Sequence, residues 1–508
     1  MPGPSEVFPS ASPMDLLREL PQDLPRERRI FVNRNLRMSA VDLIGFDMDY
    51  TLAVYRQEEV QRLSVAETLR KLVCQKGFPE EIATFSYDPA FAIRGLCVDT
   101  KLGNLFKMDC HGHVGRVYHG RAPLGREQRH AFYPTGSLRP RRPRFAWVDH
   151  LFALPEGAIF ARLVDYFDER GDADYAKLWQ DIRECIDEAH RDESLKSEIK
   201  AHPDRYLVRD PDLAPTLHKF RSAGRRLFLL TNSLWDYTDA LMTYLLDGQL
   251  APYPSWRNYF DIIVVGAQKP NFFTSRNRFV ELDAAGRAVS ELRGPFVRGR
   301  VYEGGNLHDF EEKAGVHGDH VLYVGDHIYG DMLRSKKSSA WRTALVVQEL
   351  EDEMRLMARL GESFARMAAL EQARVGLDSD LAFRQNALKA LQRAANGGPG
   401  ENGGAGGGVG DMDGAMDAAK RQAKLELDRV RGELRTVQGE IDAIENETDR
   451  AFNPYWGPLF KQGNENSMFG SQVEKYACVY TGRVSNFLWY SPVTYFRAPR
   501  LPMPHETG

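Results

Sequence analysis

The stretch Leu43-Ile44-Gly45-Phe46-Asp47-Met48-Asp49-Tyr50-Thr51 decides how this chain folds. Uncharged residues run straight into two carboxylates, with no alternation of polar and apolar positions. A short continuous apolar run suits a strand buried on both faces, as in a parallel sheet covered by helices. Three other runs end in a similar way. Leu227-Phe228-Leu229-Leu230 leads into Thr231-Asn232-Ser233. Ile262-Ile263-Val264-Val265 is followed by Lys269-Pro270. Val321-Leu322-Tyr323-Val324 leads into Gly325-Asp326, with Asp331 beyond it. Ligands of open parallel sheets bind past the carboxyl ends of the strands. If these four strands are neighbours, Asp47, Asp49, Thr231, Asn232, Ser233, Lys269, Asp326 and Asp331 meet at one rim.

Such a rim has a definite chemistry. Clustered carboxylates raise one another's pKa unless a cation neutralises them. Oxygen ligands favour a hard ion, and few protein ligands with open positions favour magnesium over calcium. A hard cation, the Lys269 ammonium and the Thr231 hydroxyl around a carboxylate match phosphoryl transfer. Asp47 reads as the nucleophile, because carboxylates form aspartyl-phosphates. Asp49 reads as the group that protonates the leaving oxygen and later activates water. Taken singly, each motif is ordinary: an Asp after a strand caps a helix or closes a turn, and Lys-Pro is a surface turn. The functional reading rests on their order, each after an apolar run.

The rest of the chain sets limits. In 508 residues, 67 Lys+Arg face 71 Asp+Glu, a net charge of −4 that excludes a globally basic nucleic-acid binder. Apolar residues at 43% support a large core of two to four domains. No apolar run reaches the ~18 residues of a membrane span, and the Pro-rich start resembles no signal peptide. The five cysteines are scattered without a CxxC pair, which fits a reduced, cytoplasmic setting rather than a disulfide framework.

The motifs resemble the haloacid dehalogenase-like (HAD-like) superfamily. Within it, the resemblance is to the cytosolic purine 5′-nucleotidase (IMP–GMP specific) family. It is carried by Gly45-Phe46-Asp47-Met48-Asp49-Tyr50-Thr51-Leu52-Ala53-Val54-Tyr55, Arg94-Gly95-Leu96, Thr231-Asn232-Ser233, Lys269-Pro270 and Gly325-Asp326-His327-Ile328-Tyr329-Gly330-Asp331. It extends through Ser335-Lys336-Lys337, Trp341-Arg342-Thr343, Ser471-Gln472-Val473 and Met503-Pro504-His505-Glu506. The resemblance implies an α/β fold: a Rossmann-like parallel sheet core, an inserted α/β cap domain and a helical C-terminal region. It implies a magnesium-dependent phosphohydrolase acting on nucleoside 5′-monophosphates, with a nucleoside as alternative acceptor in some relatives. Asp47, the Asp49 backbone carbonyl and Asp326 would hold Mg2+. Thr231, Asn232, Ser233 and Lys269 would hold the phosphate, and Asp331 would stand behind the ligands. A dimer or tetramer is implied by resemblance alone.

The expected divisions are an arm at 1–28, a core of 29–55 plus 206–347, a cap at 56–205, and a region at 348–508. That last region holds a helical hairpin around a Gly-rich linker at 397–410 and a C-terminal segment. In the cap, Arg183, Asp187 and His190 share one helical face by their spacing. Spacing alone reads as a solvated ion-pair face; the resemblance implies nucleotide contacts for these three and for Lys196. Phe152 reads either as a core ring or, by resemblance, as the ring that stacks on the base. Three positions depart from the family pattern: Asp149 replaces an Asn, Gln268 an Arg and Arg191 a Tyr. Tyr329 and Lys337 fall where relatives bind an activating nucleotide. The stretch 116–144 carries eight Arg. It reads as a solvated, partly flexible cap loop, with RNA contact as the alternative. Leu427, Val430, Leu434, Val437, Ile441 and Ile444 form one helical seam, either for an intramolecular antiparallel partner or for a dimer. Three rivals to a nucleotidase remain open: a phosphatase or phosphotransferase for another phosphomonoester, an interaction protein with weak catalysis, and an RNA binder.

Overall fold

The computed structural model describes residues 24–500 and 506, except 135, 137, 142, 172, 334–338 and 397–408. Most of the N-terminal arm, most of the Gly-rich linker, Lys337 and the Tyr329 side chain lie outside the described residues. The Leu43–Phe46 run is a strand, buried throughout, at the centre of the main sheet. Parallel strands flank it: Arg226–Leu230 on one side and Val321–Gly325 on the other. Ile262–Val265 and then Val301–Gly304 continue one way, and Arg342–Val346 the other, all parallel. Leu43 pairs with both Arg226 and Val321, so the three central strands start level and their carboxyl ends are level too. The ladder then runs one residue past two strand ends. Asp47 N–H donates to the Val324 carbonyl (2.9 Å) and Thr231 N–H to the Val264 carbonyl (3.0 Å). The first polar residue after each strand is therefore held at the rim by the sheet itself.

Gly45 has a packing reason. A Cβ there would lie 2.0 Å from Cζ of Phe228, whose ring is buried against Phe310 and Trp341 at 4.8 and 5.8 Å between centroids. We expect Gly45→Ala to destabilise the fold by about 1–3 kcal/mol through overpacking, read as a lower urea midpoint with an unchanged m-value. Gly325 is similar: a Cβ would sit 2.4 Å from Oδ2 of Asp331. The glycine before Asp326 thus makes room for the second carboxylate of its own motif.

The chain divides into two compact units. One is 1–354 with 458–508, and the other is 355–457. Residues 56–205 belong to the first unit. They build a five-stranded antiparallel sheet from Leu96–Asp99, Asn104–Met108, Val114–His119, Ala122–Pro123 and Phe145–Val148. Helices Gln57–Lys76, Arg126–Phe132, Leu154–Asp168, Tyr175–Arg191 and Ser194–Ala201 belong to the same segment. Leu207–Val208 then pairs with Val54–Tyr55, closing the insertion at its base.

Two expectations need correction. The Arg-rich stretch is not all loop: it holds most of the strand Val114–His119, the strand Ala122–Pro123 and the helix Arg126–Phe132. Three of its guanidinium groups have partners within the fold. Arg121 pairs with Asp165 (2.7 Å), Arg144 with Asp99 (2.7 Å), and Arg129 donates to the Gly115 carbonyl (2.6 Å). Nor is the C-terminal region wholly helical. Val479–Thr481 adds a parallel strand beside Arg342–Val346, and Phe31–Val32 pairs antiparallel outside it.

In the second unit, Gly361–Asn396 and Val409–Phe452 run antiparallel. Arg366–Glu440 (2.9 Å) and Arg384–Glu426 (2.7 Å) bridge them. Leu427, Val430 and Ile441 are buried along the seam. All five cysteines are free, and no helix among the described residues is long and apolar enough to cross a membrane.

Candidate active site

Asp47 emerges from the central strand with Oδ1 accepting the Met48 N–H (2.8 Å). Lys269 Nζ lies 3.0 Å from the same oxygen. It also donates to Asp331 Oδ1 and to the Tyr323 hydroxyl, both at 2.8 Å. Tyr323 donates onward to the Leu230 carbonyl (3.0 Å). The Lys269 backbone is clamped from the neighbouring strand end: Asn232 Oδ1 accepts its N–H (2.6 Å) and Asn232 Nδ2 donates to its carbonyl (2.9 Å). Asn232 therefore orients the lysine directly. Thr231 is fully buried, its Oγ1 accepting the Ser233 N–H (3.1 Å).

Asp326 follows its strand and reaches the same rim. Its carbonyl accepts from Arg94 (3.2 Å), a fully buried guanidinium held by Glu349 at 2.8 and 2.5 Å. One carboxylate oxygen from each of Asp47, Asp326 and Asp331 lies within 4.8 Å of the others. Burial pushes Asp47 up to about 7, with Lys269 opposing and the Asp331 and Asp49 charges adding. Burial, then Asp331 and Asp47, raise Asp326 well above the usual carboxylate range. Burial alone would lower Lys269, but Asp331 and Asp47 hold it above its ordinary value. Three buried acids thus share one ammonium. The cluster is short of positive charge, and its donors are all oxygen, which fits a hard divalent cation held by Asp47 and Asp326.

Asp49 faces a different set of partners. Its Oδ1 accepts from the Tyr55 hydroxyl (2.5 Å) and its Oδ2 from the Ser233 hydroxyl (2.7 Å). Ser233, expected at the phosphate, is engaged with Asp49. Two cavities meet at this carboxylate. One, of about 280 Å³, is lined by Asp47, Lys269, Asp326 and Asp331 with His150 and His327. The other, of about 220 Å³, is walled by Val60, Leu63, Leu195 and Ile199 with His190, Lys196 and Tyr237. Asp49, Phe152 and Asn232 border both. The Phe152 ring stands edge-on to Tyr50 (4.6 Å) and His190 (5.2 Å). Burial, with the Lys196 charge, lowers His190 to about 4, so its imidazole is neutral at pH 7. The arrangement is a charged chamber opening into a mainly apolar one.

The helical stripe splits. His190 lines the apolar chamber, whereas Arg183 and Asp187 line neither. Arg183 donates to Glu156 (2.9 Å), a carboxylate nearly excluded from solvent, and Asp187 lies 3.9 Å from Arg183 on the exposed side. Burial pushes Glu156 up to about 7, with Arg183 opposing and the Asp187 and Asp149 charges adding. An unfolded Glu releases its proton near 4.5. Between there and about 7 the folded chain holds the extra proton, so this group's contribution to stability falls as pH rises through that window. Urea titrations at pH 5 and 7.5 should show that loss in the parent protein and a smaller one in Glu156→Gln.

Tyr55, Tyr237, Tyr323 and Glu349 were not singled out as site residues from sequence. Each reads there as a core aromatic or a surface acid, and only the conjunction of remote segments exposes its role.

Residues 30–508 match the 5′ nucleotidase family. The 5′-nucleotidase domain-containing protein 2 of Rattus norvegicus is 29% identical over 491 residues, 94% of this chain and 80% of the relative. Its Homo sapiens counterpart is 28% identical over 510 residues, 96% of this chain and 88% of the relative. A solved HAD phosphatase from Thermococcus onnurineus aligns over 61% of this chain and 87% of its own, at 15% identity and a TM-score of 0.26, too distant to bear on the site. With its match spanning nearly the whole sequence, the chain belongs to the 5′-nucleotidase family and is a phosphohydrolase.

Proposed function

We propose that the protein is a magnesium-dependent 5′-nucleotidase that hydrolyses nucleoside 5′-monophosphates, purine ones first, through an aspartyl-phosphate on Asp47. The observation that carries this reading is the division of labour at one rim. Asp47 faces the ammonium of Lys269 at 3.0 Å in the charged chamber, while Asp49 borders the apolar chamber as well. A 5′-phosphate fits the first chamber. A flat, apolar base fits the second, against the Phe152 ring and the neutral His190 imidazole. Magnesium on Asp47, the Asp49 carbonyl and Asp326 would neutralise charge on the phosphoryl oxygens.

The residues divide the remaining work. Lys269 and Thr231 bind the phosphoryl group, with Asn232 fixing Lys269. Asp47 attacks phosphorus in line, and Asp49 gives a proton to the departing 5′-oxygen. Asp49 then takes a proton from the water that cleaves the acyl phosphate. Residues 56–205 act as the cap that sets specificity, with Phe152, His190 and Lys196 contacting the nucleoside. Arg183 and Asp187 would join only from the chamber's margin. A cytoplasmic setting and an oligomer belong to the same reading.

Purified protein should be assayed with IMP, GMP, AMP, UMP and sugar phosphates, with and without magnesium and ATP. Magnesium-dependent release of phosphate, fastest from a purine monophosphate, is the expected result. Comparable turnover of every ester would overturn the nucleotidase reading in favour of a general phosphatase.

A further inference from the structure

Tyr55 is a buried hydroxyl that the chemistry above leaves without a task. Its ring is 3% exposed, packed 4.9 Å from Tyr50 and 6.0 Å from Phe152. Its hydroxyl is 2.5 Å from Asp49 Oδ1 and 3.0 Å from the Tyr237 hydroxyl. A phenol has one proton to give. When it goes to a charged Asp49, the Tyr237 contact must run the other way, with Tyr237 donating to Tyr55. Tyr55 is thereby fixed from behind, and Asp49 is fixed at both oxygens, by Tyr55 and by Ser233. Each carboxylate oxygen keeps lone-pair room for one further partner. Val54–Tyr55 pairs with Leu207–Val208, so the hydroxyl sits on the two-strand ribbon where the 56–205 insertion leaves and rejoins the sheet.

We propose that Tyr55 is a positioning residue: with Tyr237 behind it, it locks the Asp49 carboxyl in the rotamer that meets the leaving oxygen. This rests on the reading of Asp47 and Asp49 given above. In the step concerned, an Asp47 oxygen forms its bond to phosphorus as the P–O5′ bond breaks. The bonding pair goes to O5′, and O5′ takes the proton of the Asp49 carboxyl. Attack is served by Asp47 and by the phosphoryl-binding groups Lys269 and Thr231. Departure of a poor leaving group needs Asp49 in place, because an alkoxide of high pKa cannot leave unprotonated. A misaligned Asp49 therefore harms esters of aliphatic alcohols and spares esters of acidic phenols.

The test compares kcat/KM for a nucleoside 5′-monophosphate and for p-nitrophenyl phosphate in Tyr55→Phe, which keeps the ring. We expect the nucleotide value to fall about 10-fold or more, the nitrophenyl value to stay within about 3-fold, and Tyr237→Phe to show a weaker version of the same bias. A packing defect would lower both esters alike. On the nucleotide alone, Tyr55→Phe placed on Asp49→Asn should cost little more than Asp49→Asn itself, since the two act as a unit. Equal losses on both esters, additive losses on Asp49→Asn, or no loss at all would overturn the proposal while Asp47→Asn stayed inactive. Full activity in Asp47→Asn would instead overturn the nucleophile assignment and this proposal with it.

Discussion

Asp47→Asn should lose at least about four orders of magnitude in nucleotide turnover while keeping its fold. The carboxamide is nearly isosteric, so the strand end, the Met48 N–H contact and the sheet register survive. On the proposed mechanism, what disappears is the anionic oxygen that would form the acyl phosphate, and the neighbouring carboxylates are placed differently. Asp331 is bound to Lys269 and to the His327 N–H, and Asp326 reaches the rim from the adjacent strand. Stability should hold or rise, because the substitution removes one of three repelling acids in a buried cluster. Steady-state phosphate release and a urea melt of the same preparation check both halves. Strong residual turnover would mean that phosphorus is attacked by something else.

Lys269→Met should damage activity and stability together. The ammonium contacts Asp47 at 3.0 Å and both Asp331 and Tyr323 at 2.8 Å, and the side chain is 4% exposed. Removing one partner of a buried charge cluster strands the others, a cost of about 3–5 kcal/mol. Under the proposed function, loss of the ammonium that would meet the phosphoryl oxygens should cost a further factor of about 10²–10³ in kcat. The two effects separate by method: denaturant unfolding reads the first, and kcat at saturating substrate on the folded fraction reads the second. A methionine variant as stable as the parent would contradict the charge balance drawn here.

The core of the site was legible because its residues follow uninterrupted apolar runs: Asp47 and Thr231 directly, Asp326 after one glycine and Lys269 four residues on. A strand buried on both faces advertises itself by lacking alternation, and parallel pairing puts all such run ends on one side. That placement, together with the order of the four motifs, singles out Asp47, Thr231, Lys269 and Asp326. Other residues were hidden because their partners are remote. Arg183 looked like a member of a helical stripe, but Glu156, 27 positions earlier, draws it away from the chamber that His190 lines. Glu156 lies in the first turn of its own helix, where an acid ordinarily faces water and favours the dipole. Ser233 looked like a phosphate ligand because it follows Thr231-Asn232, yet its hydroxyl turns to Asp49, 184 positions away. Val479–Thr481 passed unnoticed as a strand because three residues carry no period, and only the exposed side of Arg342–Val346 explains its place. The Arg-rich stretch departs from its composition only in part: a solvated loop is expected, and Asp99 and Asp165 supply partners for two of its guanidinium groups.

The central claim is that Asp47 carries the phosphoryl group. Enzyme mixed with excess 5′-[32P]-labelled purine nucleotide and magnesium, quenched in acid within milliseconds and digested, answers it directly. The account predicts a hydroxylamine-sensitive label on the peptide containing Asp47, absent from Asp47→Asn. Label on any other side chain, or rapid turnover with no labelled protein at any quench time, would contradict it.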